Sequence, residues 1–360
     1  MRKEFVFISA AIGLLAVPSF AAPTYGYKSQ FNSPGQRMTV ATASTTGTIY
    51  FCDNNSDKVW MIATPLTATG VAGDFTVVYD ASGSSVPPDP YGPGSWEGIT
   101  IDPNGTIYAS GQDATNTYLA KFVQTGPTTW ATNLITLPGG LELCGGCTAV
   151  GVNKVVLPGY ASGSLHFLTV NTGTNTATED AGSPVTAAGF TGNAPSATYD
   201  AAHSRIYISH TVTGTSNGGV HYFTSTAGTP ATTSYSGAVN PFVADLTGES
   251  SSNSPFYQSV SLNAADNIVM TGRGGNAVGA QGWRLIDGSL TGPNAAHYQF
   301  IDGTGSTGGQ LPAADAALGH TFFTVSGTKY LITGTEDSPR KYTVYQQTPA
   351  AVADWAIYEN

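Results

Sequence analysis

One stretch, Trp96–Phe122 (WEGITIDPNGTIYASGQDATNTYLAKF), constrains the fold of this chain more than any other. It opens with an apolar run, Ile99-Thr100-Ile101, and turns at Asp102-Pro103-Asn104-Gly105. A second run follows at Thr106-Ile107-Tyr108-Ala109, then a polar loop from Ser110 to Asn116, then a third run from Tyr118 to Phe122. Proline presets φ at about −65° and glycine accepts positive φ, so the Asp-Pro-Asn-Gly step is a turn on physical grounds. The β-branched and aromatic residues on either side suit a pleated, half-buried surface. The unit reads as strand, turn, strand, loop, strand.

Weaker copies of this unit recur. Second-strand anchors fall at Ile49, Ile107, Val155, Ile206, Ile268 and Leu331, with spacings of 58, 48, 51, 62 and 63 residues. In the sixth copy the strands are read at Thr321–Val325, Lys329–Thr333, Tyr342–Tyr345 and Trp355–Tyr358. A three- or four-stranded sheet cannot bury both faces alone, and stacking copies around an axis solves that problem. The expectation is an all-β chain: one β-propeller over residues 22–360, with six blades. Residues 22–37 are read as an arm that closes the ring against the last blade. Seven blades follow if that arm and the segment Val185–Phe190 hide another, and a pair of β-sandwiches is the rival fold.

Composition agrees with turn-rich β structure. Charged residues are 10% of the 360 and glycines number 44, against a usual charged share of about a quarter. No window repeats apolar residues at helical spacing. Residues 1–21 have the plan of a secretory signal: Arg2 and Lys3, an apolar Phe5–Val17, then Ser19-Phe20-Ala21 before a cleavage point at Ala22. The apolar run is short for a membrane helix, which needs about 18 residues or more. The chain is therefore read as exported, to the periplasm or outside the cell, and monomeric. The chain without that peptide has 11 Lys and Arg against 22 Asp and Glu, a net charge of −11. Such a surface argues against nucleic acid and anionic lipid as partners. It leaves an unidentified protein or glycan.

The cysteines are Cys52, Cys144 and Cys147. In an exported protein, Leu-Cys-Gly-Gly-Cys is read as a small-loop disulfide between Cys144 and Cys147. Cys52, beside Tyr50 and Phe51, reads as a buried strand thiol.

Gly98–Tyr108 (GITIDPNGTIY) resembles the blade signature of NHL-type and gluconolactonase/regucalcin-like propellers. Ser204–Ser209 and Ser164–Gly173 resemble blades of YVTN-type surface propellers. The likeness covers about 25 residues well, and propellers host hydrolases, lyases, lectins and scaffolds alike. In gluconolactonase-like propellers a glutamate entering a first strand joins side chains from other blades around a metal. Glu97-Gly98-Ile99 resembles that entry, so the resemblance implies Glu97 as a ligand for calcium or another divalent cation in a hydrolase or lactonase.

In a propeller, the loops from second to third strand open on the face where each first strand begins. That face would carry Asp53, Asn55, Asp57, Trp96, Glu97, Gln112, Asp113, Tyr160, His210, Tyr257, Gln258, Arg273, Asp315, Glu336 and Asp337. Candidate metal ligands are Glu97, Asp113, Asp53, Asn55 and Asp57, because hard cations take carboxylate and amide oxygens. Asp53-x-Asn55-x-Asp57 has the first spacings of a calcium loop, but Lys58 stands where an EF-hand needs glycine and Thr64 where it needs glutamate. Candidate contacts to an organic ligand are Trp96, Tyr160, His210, Tyr257 and Arg273. His166 and His221 lie within strand runs and read as structural. Gly214-x-Ser216-x-Gly218 matches a nucleophile-elbow pattern without the helix that the motif requires. The functional expectation is a non-catalytic binding or cell-surface scaffold module, with a metal-dependent hydrolase or carbohydrate-directed enzyme as the alternative.

Overall fold

The computed structural model describes residues 24–33, 35–36, 38–53, 56, 58–81, 96–113, 115–186, 193–210, 219–224, 240–241, 256–266, 268–274, 282–287, 298–302, 317–335 and 340–348. The chain begins with β1 (Thr24–Asn32). Blade 1 is β2 (Val40–Ala43), β3 (Ile49–Asp53), β4 (Lys58–Ile62) and β5 (Thr76–Asp80). Blade 2 is β6 (Trp96–Ile101), β7 (Ile107–Gln112), β8 (Thr117–Gly126) and β9 (Thr129–Ile135). Blade 3 is β10 (Thr148–Gly151), β11 (Lys154–Pro158), β12 (Leu165–Asn171) and β13 (Thr176–Glu179). Blade 4 is β14 (Ala197–Asp200), β15 (Arg205–His210), β16 (Gly219–Thr224) and β17 (Asn240–Pro241). Blade 5 is β18 (Phe256–Asn263), β19 (Ile268–Gly274), β20 (Gly282–Asp287) and β21 (Tyr298–Asp302). Blade 6 is β22 (Ala317–Val325), β23 (Thr328–Thr335) and β24 (Lys341–Thr348), with β1 as its outer strand.

Among the described residues these are six four-stranded antiparallel sheets. Their first strands β2, β6, β10, β14, β18 and β22 neighbour one another in that order, and β22 returns to β2. That is a six-bladed β-propeller rather than a pair of sandwiches. All six anchors read from the sequence fall on second strands. β1 pairs antiparallel with β24, from Thr24↔Thr348 to Asn32↔Lys341, so the first and last described strands share the last blade. The fourth-strand position is thus occupied by β1, and residues 355–358 lie outside the described residues. Val185 exchanges both main-chain hydrogen bonds with Leu165 at 2.9 Å, which attaches it to blade 3.

The turns form as their chemistry demands. Asp102 Oδ1 accepts the N–H groups of Asn104 and Thr106, each at 2.9 Å, and Gly105 has φ +82°. This is an Asx-type turn, with the carboxylate standing in for a backbone acceptor. Asp200 does the same in blade 4, accepting from Ala202 and His203.

The core lies in the seams between blades. Tyr50, Cys52 and Val59 of blade 1 pack against Trp96, Ile99 and Phe122 of blade 2. Tyr108 and Leu119 of blade 2 pack against Val155, Leu157 and Leu168 of blade 3. Met38, Phe51 and Phe75 of blade 1 pack against Phe323, Ile332 and Tyr342 of blade 6. Among the described residues, blades 1 and 2 therefore each bury apolar side chains against both neighbours, which one sheet alone could not do.

The expected disulfide is corrected by the structure. Cys52, Cys144 and Cys147 are free and buried. Cys144 donates from Sγ to the Glu142 carbonyl at 3.3 Å, while Cys147 Sγ lies 3.7 Å from the Tyr108 carbonyl. Between them Gly145 and Gly146 press against blade 4, where a Cβ on Gly146 would lie 2.6 Å from the Ser196 Cα. That contact holds the Cys-Gly-Gly-Cys segment along the seam, and each thiol serves a different carbonyl. Burial pushes the Cys147 thiol up to about 12 and raises Cys144 and Cys52 as well.

Candidate functional site on the upper face of blades 2 to 4

The side on which second strands lead into third strands is called the upper face. Three groups of polar side chains stand on it in blades 2 to 4.

The first group is at the start of β6 and the end of β7. Gln112 donates from Nε2 to Glu97 Oε2 at 3.0 Å. A Cβ on Gly145 would lie 3.0 Å from the same oxygen, so the glycine makes room for the carboxylate. Trp96, next to it, points the other way. It is fully buried in the seam and meets Tyr79 edge-on, with ring centroids 6.1 Å apart. A β-bulge decides this: the β6–β7 register shifts between Trp96 and Gly98, so Trp96 lies with Ile99 in the seam with blade 1, while the Cβ position of Gly98 faces Cys147 on the other side. Trp96 is therefore a packing residue, not a platform at the mouth.

The second group is the β7–β8 loop. Asp113 Oδ1 accepts the N–H groups of Thr115 at 2.6 Å and Asn116 at 2.7 Å, and Asp113 Oδ2 accepts the Tyr118 hydroxyl at 2.5 Å. Burial acts to raise the Asp113 pKa, but the hydrogen bonds from Tyr118, Thr115 and Asn116 together outweigh it and hold the carboxyl well below the usual range. Asp53 in blade 1 does similar work, with Oδ2 accepting the Ser56 hydroxyl at 2.7 Å. Both aspartates hold the loop that follows their own second strand. Asn55 and Asp57 lie outside the described residues. Among the described residues no three His, Cys, Asp or Glu side chains are grouped so as to hold a metal ion. The metal site implied by the resemblance has only Glu97 at the corresponding entry, and the other described carboxylates do not converge on it.

The third group was not legible as a site in the sequence. His166, at the upper end of β12, is buried between two glutamates. Its Nε2 lies 2.9 Å from Glu142 Oε1 and its Nδ1 lies 2.8 Å from Glu179 Oε1. Ser162 donates to Glu142 and Ser183 to Glu179, each at 2.7 Å. These residues come from the β9–β10 connection, the β11–β12 loop, β12, β13 and the loop after it. No local spacing announces such a set. Close by, the Tyr160 main chain joins blades 2 to 4, with its N–H donating to Leu143 and its carbonyl accepting from Ala194, each at 2.7 Å. The Tyr160 hydroxyl accepts from Asn193 Nδ2 at 3.3 Å.

Of the remaining candidates, His210 ends β15 opposite Gly219, and Tyr257 pairs in register with Arg273 at the upper ends of β18 and β19. Their side chains lie outside the described positions.

No protein-family model matches the chain, and no curated protein matches it either. Solved structures do. The PQQ-bound form of an aldose sugar dehydrogenase from Streptomyces coelicolor is 13% identical, with a TM-score of 0.59, over 91% of this chain and 98% of that one. A virginiamycin B lyase from Staphylococcus aureus with quinupristin is 15% identical, with a TM-score of 0.45, over 87% of this chain and 82% of that one. The first of these supports the fold drawn from the sheets: this chain is a β-propeller.

Proposed function

We propose that this chain is an exported β-propeller that works as a binding module, with the upper face of blades 2 to 4 as its contact surface. The observation that carries the reading is how the carboxylates on that face are used. Asp113 holds its own loop, and Glu142 and Glu179 grip His166. The result is a rigid polar relief from Glu97 and Gln112 across to Tyr160 and Asn193. Prepaid ordering of contact groups favours binding, because less conformational freedom is lost on association. The acidic balance of the chain favours a cationic or hydroxyl-bearing protein or glycan over nucleic acid. Residues 1–21 act as a cleaved signal, and the mature protein is a monomer in the periplasm or outside the cell. No helix among the described residues is long and apolar enough to cross a membrane.

The test uses the mature protein, residues 22–360, on glycan and protein arrays, with hits confirmed by calorimetry. Loss of binding in Glu97→Ala or Tyr160→Ala, with unchanged thermal stability, is the expected result. Chelator-sensitive turnover in a lactone and ester screen, abolished in Glu97→Ala, would replace the binding reading with the hydrolase.

A further inference from the structure

The lower face, opposite the proposed contact surface, has a cleft of about 160 Å³ in the seam between blades 5 and 6. It is lined by Leu262, Asn263, Phe322, Thr324, Lys329 and Tyr330, among others. At about 30 Å³ per water in the liquid, that is room for roughly five waters, or one compact organic molecule.

We propose that this cleft binds one neutral, hydroxyl-rich molecule of monosaccharide size. The argument starts from Asn263, which is 8% exposed. It spends both amide hydrogens inside the protein, on the Tyr25 hydroxyl at 2.9 Å and on Asp266 Oδ2 at 2.6 Å. Its Oδ1 is left as an acceptor for the cleft it lines. Lys329 Nζ meets Asp266 Oδ1 at 2.6 Å and Oδ2 at 2.7 Å, and an ammonium has three hydrogens, so one remains. Gln347 Nε2 also donates to Asp266 Oδ2, at 2.7 Å.

The charge is therefore balanced within the wall. An anionic ligand would have to compete with Asp266 for Lys329, and a cation would have to compete with Lys329 for Asp266. A neutral ligand needs neither exchange. The Thr324 hydroxyl, on an exposed residue, both gives and accepts. Phe322 is half-buried and leans on Tyr25, with ring centroids 5.7 Å apart, which offers an apolar edge beside the polar groups. One acceptor, one cationic donor, one hydroxyl and one aromatic ring make the pattern that a polyol meets with its hydroxyls and its C–H face. The proposal does not depend on the reading of the upper face.

The test is an NMR titration of the mature protein with glucose, galactose and mannose, followed at Phe322 and Thr324, with phosphate and acetate as separate arms. At least one sugar is expected to give saturable shifts with a dissociation constant on the order of 1 mM. Ala264→Trp places a large side chain in the cleft from an exposed position and is expected to weaken that sugar at least tenfold, without changing the thermal midpoint. Thr324→Val removes one hydroxyl and is expected to weaken it about threefold. No saturable response to any of the sugars, saturation by phosphate or acetate instead, or undiminished binding in Ala264→Trp would each overturn the proposal. Binding on the upper face is read separately on the arrays, so failure of one assignment leaves the other standing.

Discussion

The carboxylate of Asp102, just after the inner strand of blade 2, accepts the main-chain N–H of Asn153 in the turn of blade 3 at 3.1 Å. The same side chain closes its own turn through Asn104 and Thr106. Asn153 has φ +55° and accepts the Tyr108 hydroxyl at 3.3 Å. One aspartate thus shapes a hairpin and docks the next blade. Asp102→Ala would strand three N–H donors and is expected to cost about 2–3 kcal/mol in urea unfolding followed by tryptophan fluorescence. Asp102→Asn keeps an acceptor oxygen and should cost about half as much. An unchanged midpoint in the alanine variant would mean that water replaces the carboxylate without loss.

Two glycines of blade 2 should respond unequally to alanine. A Cβ on Gly98 would lie 2.3 Å from the Cys147 main-chain nitrogen and 2.6 Å from the Gly146 carbonyl carbon, and backbone cannot move aside cheaply. Gly98→Ala is expected to lose about 3 kcal/mol or to fail to accumulate as soluble protein. Gly105 has open space around it and only its φ of +82° to satisfy, so Gly105→Ala should cost about 1 kcal/mol. Thermal melts of the two variants side by side decide this, and equal losses would count against the tight seam.

Acid should reveal Asp113. Its pKa in the folded protein lies below the ordinary carboxylate value, so it binds a proton more readily when unfolded. Its contribution is fully present above the unfolded value of about 3.9 and is lost as the pH falls through the lower folded value. Asp113→Asn removes that titration. The variant is expected to be less stable than the parent at pH 7 by about 1 kcal/mol, with the gap closing towards pH 2. A gap independent of pH would assign the loss to packing.

The thiols should be silent until the protein unfolds. Burial raises all three, so little thiolate forms at pH 8. Ellman's reagent is expected to find no reactive thiol in the native protein and three per chain in guanidinium chloride without reductant. One per chain after unfolding would restore the Cys144–Cys147 bond.

The blade plan was readable because it is local. Turn residues sit at fixed offsets from β-branched runs, and Ile49, Ile107, Val155, Ile206, Ile268 and Leu331 each lie on a second strand. The site was readable only in part. Glu97, Asp113 and Tyr160 could be placed on the upper face from strand direction alone. Their partners could not, because a side chain's hydrogen bonds depend on which backbone and which blade stand beside it. Trp96 illustrates the limit: its place at a strand entry suggested the mouth, and the bulge at the start of β6 leaves it in the seam.

By itself, then, the sequence determined that this chain is a ring of small sheets, because no such sheet can bury both faces except against a neighbour. Only the tertiary structure decided which polar groups meet across those seams. Glu142, His166 and Glu179 come together from the β9–β10 connection, β12 and β13, and Asn263 and Lys329 from adjacent blades. Contacts of that kind are set by how blades pack, and no periodicity along the chain encodes them.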